Sequence, residues 1–137
     1  MPVSHNDAQA ALKLLTEAKR IACVCHRNPD GDAIGSVTGM ALLLEKQFPG
    51  KQITMHCVDP SPDTFLYLQS AQRIQNTLKL EPGDAAVVVD CAEPKMTQMQ
   101  ESVPQLFDGS IPVLMIDHHP TNPKFGTANI LEPSAAS

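Results

Sequence analysis

The chain is as informative for what it lacks as for what it holds. No stretch approaches the ~20 consecutive apolar residues of a membrane-spanning helix. The polar start, Met1 to Gln9, has no apolar core of the kind that marks a secretory signal. No basic stripe is present, and 10 basic residues stand against 15 acidic ones, for a formal net charge of −5. That balance argues against a long nucleic-acid duplex as partner. The four cysteines, Cys23, Cys25, Cys57 and Cys91, form no C-x-x-C pair, which argues against a structural zinc site. Internal repeats and low-complexity tracts are absent. So is a G-x-G-x-x-G turn after the first predicted strand, which disfavours a plain dinucleotide binder.

What remains is enough chain, 137 residues, for one domain with a real core. Cys23, Cys25 and Cys57 sit in apolar runs, where a reduced thiol packs as a small hydrophobe, so a reducing cytoplasm is the expected location. Ser4, with Asp7 three residues on, predicts the capped start of a helix with Ala8, Ala11, Leu12 and Leu15 inward. A buried strand is predicted over 20–25. A helix follows from about Asp32 to Phe48, stopped by Pro49-Gly50, with Ile34, Val37, Ala41, Leu42 and Leu44 on its apolar face. Gly35, Ser36 and Gly39 would let that helix approach the sheet or a ligand closely. Further strands are predicted over 53–58, 85–89 and 112–116, with one more at 129–131. Helices are predicted over 64–72 and 94–107, the latter interrupted or ended early by Pro104. Strands alternating with helices specify an α/β fold: a doubly wound, mostly parallel sheet with helices on both faces.

In such a sheet ligands bind beyond the carboxyl ends of the strands. Three polar segments fall there: His26-Arg27-Asn28-Pro29-Asp30-Gly31-Asp32, then Asp90, then Asp117-His118-His119. His26 and Asp30 lie four apart across a tight Asn-Pro turn and can converge on one metal ion. Asp32, beyond Gly31, can face a second, and Gly31 would permit the sharp backbone path. The blander alternative is that Asp30-Gly31 is a turn and Asp32 a helix cap. Asp90 directly follows Val87-Val88-Val89, where a carboxylate is costly unless paired or bound to a cation. It is the natural bridge between two metals ~3.5–4 Å apart. Its own bland reading is a solvated strand-end residue. Adjacent side chains leaving a strand diverge, so of His118 and His119 one can bind metal while the other faces substrate, with Asp117 orienting a histidine. Cys91 is read as packing, and His5 and His56 as surface and strand residues.

These residues resemble the motifs of the DHH phosphoesterase superfamily. Asp117-His118-His119 is similar to the triplet that names it. The run from His26 to Ser36 resembles its first motif, and Val88-Val89-Asp90 its second. Pro62-Asp63-Thr64-Phe65-Leu66-Tyr67-Leu68, with Gly31 and Gly35-Ser36, points to the nanoRNase and pAp-phosphatase (exopolyphosphatase-related) branch. The resemblance implies two Mn²⁺ ions, with Mg²⁺ an alternative. His26 and Asp30 would hold one, Asp32 and His118 the other, and Asp90 would bridge them. His119, with Asp117, would serve catalysis, His119 contacting the scissile phosphate. A metal-bridging water would attack phosphorus in line. The substrate would be a small nucleotide, 3′-phosphoadenosine 5′-phosphate, or a short single-stranded oligonucleotide. The family also carries a fourth motif with another metal-binding Asp and a C-terminal substrate-binding domain. No Asp follows Asp117 here, so residues 1–137 are expected to be the N-terminal portion of the catalytic domain. Rival readings are a non-catalytic phosphate- or nucleotide-binding module, an inactive fragment, and a hydrolase of polyphosphate, pyrophosphate or cyclic dinucleotides. Oligomeric state is left open, a homodimer included.

Overall fold

The computed structural model describes residues 3–137. Its five strands are β1 (Arg20–Val24), β2 (Gln52–His56), β3 (Asp84–Val89), β4 (Val113–Asp117) and β5 (Ala128–Leu131). They pair in the order β2-β1-β3-β4-β5, every neighbour parallel. The chain leaves β1 towards β2 on one side and then returns to place β3 on the other. The order therefore reverses between β1 and β3, and the crevice beyond their carboxyl ends is where such sheets bind ligands.

Two α-helices, α1 (His5–Glu17) and α2 (Gly31–Gln47), cover one face of the sheet. The Ser4 cap forms as predicted: the Asp7 N–H donates to Ser4 Oγ at 3.1 Å, and the Ser4 hydroxyl donates to Asp7 Oδ2 at 2.6 Å. The inward face of α1 is rotated from the predicted one. Ala11, Leu14 and Ala18 are buried, whereas Ala8 is exposed and Leu12 is 60% exposed. α2 opens one residue earlier than predicted, because Asp30 is its cap and accepts the Ala33 N–H at 2.9 Å. It buries Ala33, Ile34, Val37, Thr38, Ala41 and Leu44, while Leu42 turns outward.

The second face packs Ala22, Val24, Ala86, Val88 and Val113 against Leu80, Met99, Val103 and Leu106. Helical cover on this face is of the 3₁₀ kind. Where one helix is predicted over 94–107 there are two short turns, Pro94–Thr97 and Pro104–Leu106. The first stops at Gln98, whose φ of 53° is left-handed, and the second begins at Pro104, which has no N–H to extend a helix across the gap. The predicted helix over 64–72 is likewise two 3₁₀ turns, Asp63–Phe65 and Gln69–Arg73. Nine residues cannot offset helix nucleation without a sustained buried stripe, and Leu66 and Tyr67 stay exposed. Among the described residues no helix is long and apolar enough to cross a membrane.

Candidate functional site

All the residues singled out in the sequence reach the carboxyl ends of β1, β3 and β4. His26 lies in the loop after β1, Asp30 and Asp32 at the head of α2, Asp90 immediately after β3, and Asp117 at the last position of β4. Asp90 is the centre. It is 6% exposed and takes a left-handed φ of 51°, a conformation that costs most residues about 1 kcal/mol or more. One of its oxygens, Oδ2, lies 3.5 Å from His26 Nε2. The other, Oδ1, lies 3.1 Å from His118 Nε2 and 3.9 Å from His119 Nδ1. His26 Nε2 is also 3.8 Å from Asp30 Oδ1, and His118 Nε2 is 3.1 Å from Asp32 Oδ2. Two sets thus share Asp90: His26 with Asp30 on one side, His118 with Asp32 on the other.

Each imidazole is held by its other nitrogen. His26 Nδ1 donates to the Arg27 carbonyl at 2.5 Å and His118 Nδ1 to the Ala135 carbonyl at 3.2 Å. A carbonyl can only accept, so both rings carry their proton on Nδ1 and turn an Nε2 lone pair towards carboxylate oxygens. That juxtaposition is repulsive unless a proton or a metal ion lies between. His119 Nδ1 bonds Asp117 Oδ1 at 2.7 Å, and the Asp117 side chain is fully buried.

Proximity to Asp90 raises His26 to about 9, against the opposing effect of burial and with help from the Arg27 carbonyl. For His118 burial pulls downward, but Asp90, the Ala135 carbonyl and Asp32 outweigh it and the group rises above its ordinary value. Cys91 is a packing residue: burial pushes its thiol up to about 12, and Sγ donates to the Glu93 carbonyl at 3.1 Å.

Two contributors were not legible in the sequence. Asp59, after β2, accepts the Asn28 N–H at 2.7 Å and braces the loop where Asn28 has a left-handed φ of 46°. Asn122, 7% exposed, donates to Asp117 Oδ2 at 2.8 Å. Asp59 acts across 31 residues, and Asn122 reaches Asp117, five residues back, from within an irregular loop, so no helical or strand period betrays either. Gly31 is not the source of the sharp path. Its φ is not positive, and Asn28 takes the left-handed conformation instead. Gly35 and Gly39 face open space and line a cavity of about 360 Å³ beside His118, together with Met40, Ile116 and Ile130.

Could these residues hold metal? Asp90 is buried, and among the described residues its ion-pair partners are imidazoles alone. A buried carboxylate paired with no arginine or lysine among the described residues, and faced by imidazole nitrogens and further carboxylates that titrate or coordinate, fits a divalent ion of intermediate hardness. Two groups of ligating atoms lie within 4.8 Å of one another: His26, Asp30 and Asp90, and Asp90, Asp117, His118 and His119.

A model of the DHH family, N-terminal domain, matches residues 20–137. This chain belongs to the DHH family. It is 36% identical over 113 residues to a bifunctional oligoribonuclease and PAP phosphatase NrnA of Thermus thermophilus, covering 82% of this chain and 32% of that protein. It is 29% identical over 121 residues to the NrnA of Mycoplasma pneumoniae, covering 87% and 36%, which together place it in the nanoRNase and pAp-phosphatase branch. A cyclic-di-AMP phosphodiesterase PdeA of Listeria monocytogenes is 26% identical over 144 residues, covering 95% and 21%. This DHH chain therefore spans about a third or less of the length of these relatives. The crystal structure of an exopolyphosphatase-related protein from Bacteroides fragilis superimposes with a TM-score of 0.83 at 23% identity, covering 98% of this chain and 41% of that one. At that identity the likeness shows the fold, the same parallel α/β sheet.

Proposed function

We propose that this chain carries the metal-holding half of a phosphoesterase that hydrolyses short oligonucleotides or 3′-phosphoadenosine 5′-phosphate. The observation that carries the reading is Asp90, buried between His26 and His118 with a different carboxylate oxygen towards each. His26 and Asp30 would hold one ion and Asp32 and His118 a second, with Asp90 between them. The mixture of imidazole and carboxylate suits Mn²⁺, with Mg²⁺ as the alternative. Bound divalent ions supply Lewis-acid charge to a phosphate and generate a nucleophile from water near neutral pH.

The chain's own groups do the rest. The Arg27 and Ala135 carbonyls fix the tautomers of His26 and His118, which keeps each Nε2 available as a ligand. Asp117 holds His119 through Nδ1, leaving Nε2 as the nitrogen that can meet a phosphate oxygen. The net acidic chain needs no basic groove, because a substrate of one or a few phosphates is drawn to bound cations. The NrnA relatives favour a nucleotide substrate, and reduced buried thiols favour a cytoplasmic location.

Calorimetric titration of the folded chain with Mn²⁺, followed by a hydrolysis assay on a dinucleotide and on 3′-phosphoadenosine 5′-phosphate, tests this. Saturable binding of two ions with phosphate ester cleavage is the expected result. A folded chain that binds no divalent ion sinks the reading.

A further inference from the structure

The Asn122 side chain meets four groups at the strand ends. Its amide orientation is fixed by chemistry: the Lys124 backbone N–H can only donate, and it lies 2.7 Å from Oδ1. The amide nitrogen is thereby aimed the other way. It donates to Asp117 Oδ2 at 2.8 Å and to the Cys91 carbonyl at 3.0 Å, with Met115 Sδ at 3.1 Å as a weak third acceptor. One side chain therefore ties the end of β4, at Asp117, to the residue that follows Asp90 at the end of β3.

The chain of contacts continues outward. Asp117 Oδ1 faces His119 Nδ1 at 2.7 Å, and the Asp117 side chain is fully buried. A buried carboxylate needs each oxygen satisfied, and Asn122 and His119 take one apiece. Remove the amide and Asp117 loses half of what fixes its plane, while the Cys91 carbonyl next to left-handed Asp90 loses its tether.

We infer that Asn122 is a positioning residue that acts through Asp117 to fix the ring of His119, and through Cys91 to hold the turn that presents Asp90. The catalytic part of this rests on the phosphoesterase reading above. The positional part does not. Removal of groups that orient such side chains typically lowers metal affinity or activity by about 10–100-fold.

The test uses Asn122→Leu, close in volume and without donors, and reads the histidine rings first. In ¹⁵N-histidine-labelled, metal-free protein at a pH where the rings are neutral, His119 is expected in the Nδ1–H form in the parent and in a mixed or Nε2–H form in Asn122→Leu. His26, held by its own neighbouring carbonyl, serves as the internal reference and stays Nδ1–H. An unchanged His119 pattern in folded Asn122→Leu overturns the inference. Phosphodiester hydrolysis with Mn²⁺ gives the second reading. Asn122→Leu is expected to lower kcat about 10–100-fold with KM nearly unchanged, and to cost clearly less in a His119→Ala background, where only the arm through Cys91 remains. A full additional loss in that background overturns the pathway through His119. Should Asn122→Leu fold poorly, Asn122→Ser, which keeps one hydroxyl, is expected to give an intermediate tautomer mixture, and a parent-like pattern there counts against the inference. A parent protein that hydrolyses nothing fails the functional reading alone, since the ring measurement needs neither metal nor turnover.

Discussion

Strand β3 begins with one aspartate, Asp84, and is followed directly by another, Asp90, and the two are treated in opposite ways. Asp84 is 7% exposed and Asp90 is 6% exposed, so each has lost nearly the same hydration. Asp84 is compensated within the fold: Arg20 Nε donates to Oδ1 at 2.6 Å, and the Glu81 N–H donates to Oδ2 at 2.8 Å. Among the described residues the ion-pair partners of Asp90 are imidazoles alone, with no arginine or lysine to complete it. Backbone conformation follows the same division. The left-handed position before β3 is Gly83, at φ 95°, where no side chain has to be presented. The left-handed position after β3 is Asp90 itself, where a side chain is needed and the strain is accepted. One strand thus shows what a carboxylate looks like when the fold completes it and when the site is left for a cation to complete.

The sharpest way to break that contrast is to neutralise each end in turn. Asn has the shape of Asp and tolerates a left-handed φ, so Asp90→Asn changes charge and little else. Mn²⁺ affinity, measured by calorimetry, is expected to fall by more than about 100-fold, since outer groups alone are worth about 10–100-fold. Asp84→Asn is expected to leave Mn²⁺ affinity within about twofold and to lower Tm by several degrees. Equal loss of metal binding in both variants would erase the distinction between the two ends.

The glycine at the quiet end is the next target. Gly83→Ala forces a Cβ onto a backbone at φ 95° and to within 3.1 Å of the flexible Lys19 side chain. The lysine stem can move, but the φ cannot, so destabilisation of about 1–3 kcal/mol is expected in a denaturant titration, with metal affinity unchanged.

The proton at the site end can be followed by pH. His26 is raised from 6.5 to about 9 in the metal-free chain, chiefly by Asp90. A group whose folded pKa is raised contributes fully below its unfolded value and loses that contribution as pH rises through the folded one. Metal-free Tm is therefore expected to decline between pH 6.5 and 9, and saturating Mn²⁺, which replaces the proton, to flatten that decline. His118 shifts in the same direction and adds to it. His56 has the opposite sign. Burial lowers it, and Nδ1 donates to the Thr77 carbonyl at 2.7 Å while Nε2 faces Thr54 Oγ1 at 2.7 Å. Its stabilising neutral form is lost as pH falls below 6.5 through its depressed pKa, an acid limb that Mn²⁺ is not expected to alter. Thermal melts across pH 5 to 10 with and without metal check both limbs.

These contrasts also show what the amino-acid order disclosed. Val87-Val88-Val89 announces a buried strand, and a polar residue directly after it announces a strand end, so β3 and Asp90 were legible together. The same held for His26 after β1 and for Asp117-His118-His119 at the end of β4. The connections over 64–72 and 94–107 were not, because their apolar residues suit a helix by spacing while Pro104 and the left-handed Gln98 divide the second into separate turns. Asp59 and Asn122 were invisible for other reasons: Asp59 reaches Asn28 across 31 residues, and Asn122, though five residues from Asp117, does so from a loop with no helical or strand period to point it there, while its second contact, to Cys91, spans 31 residues. Arg20 could be read as a strand residue but not as the cation that completes Asp84, since that pair spans 64 residues.

The smallest expected effect is at Gly31, between the two carboxylates that open α2, and it tests whether glycine matters equally at both ends of the sheet. Local reading makes Gly31 the flexible joint of the metal loop. The structure moves that burden to Asn28, at φ 46°, and leaves Gly31 as the first residue of a helix without a positive φ. A Cβ there would meet the Phe65 ring at 3.5 and 3.6 Å, ordinary contact. Alanine is also the better helix former, which offsets any small rearrangement of Phe65. Gly31→Ala is therefore expected to change stability by less than about 0.5 kcal/mol and to leave Mn²⁺ affinity within about twofold. A loss comparable to that of Gly83→Ala would mean that the loop must pass through a conformation closed to alanine when it closes on metal, and that the site end depends on backbone freedom as well as on its carboxylates.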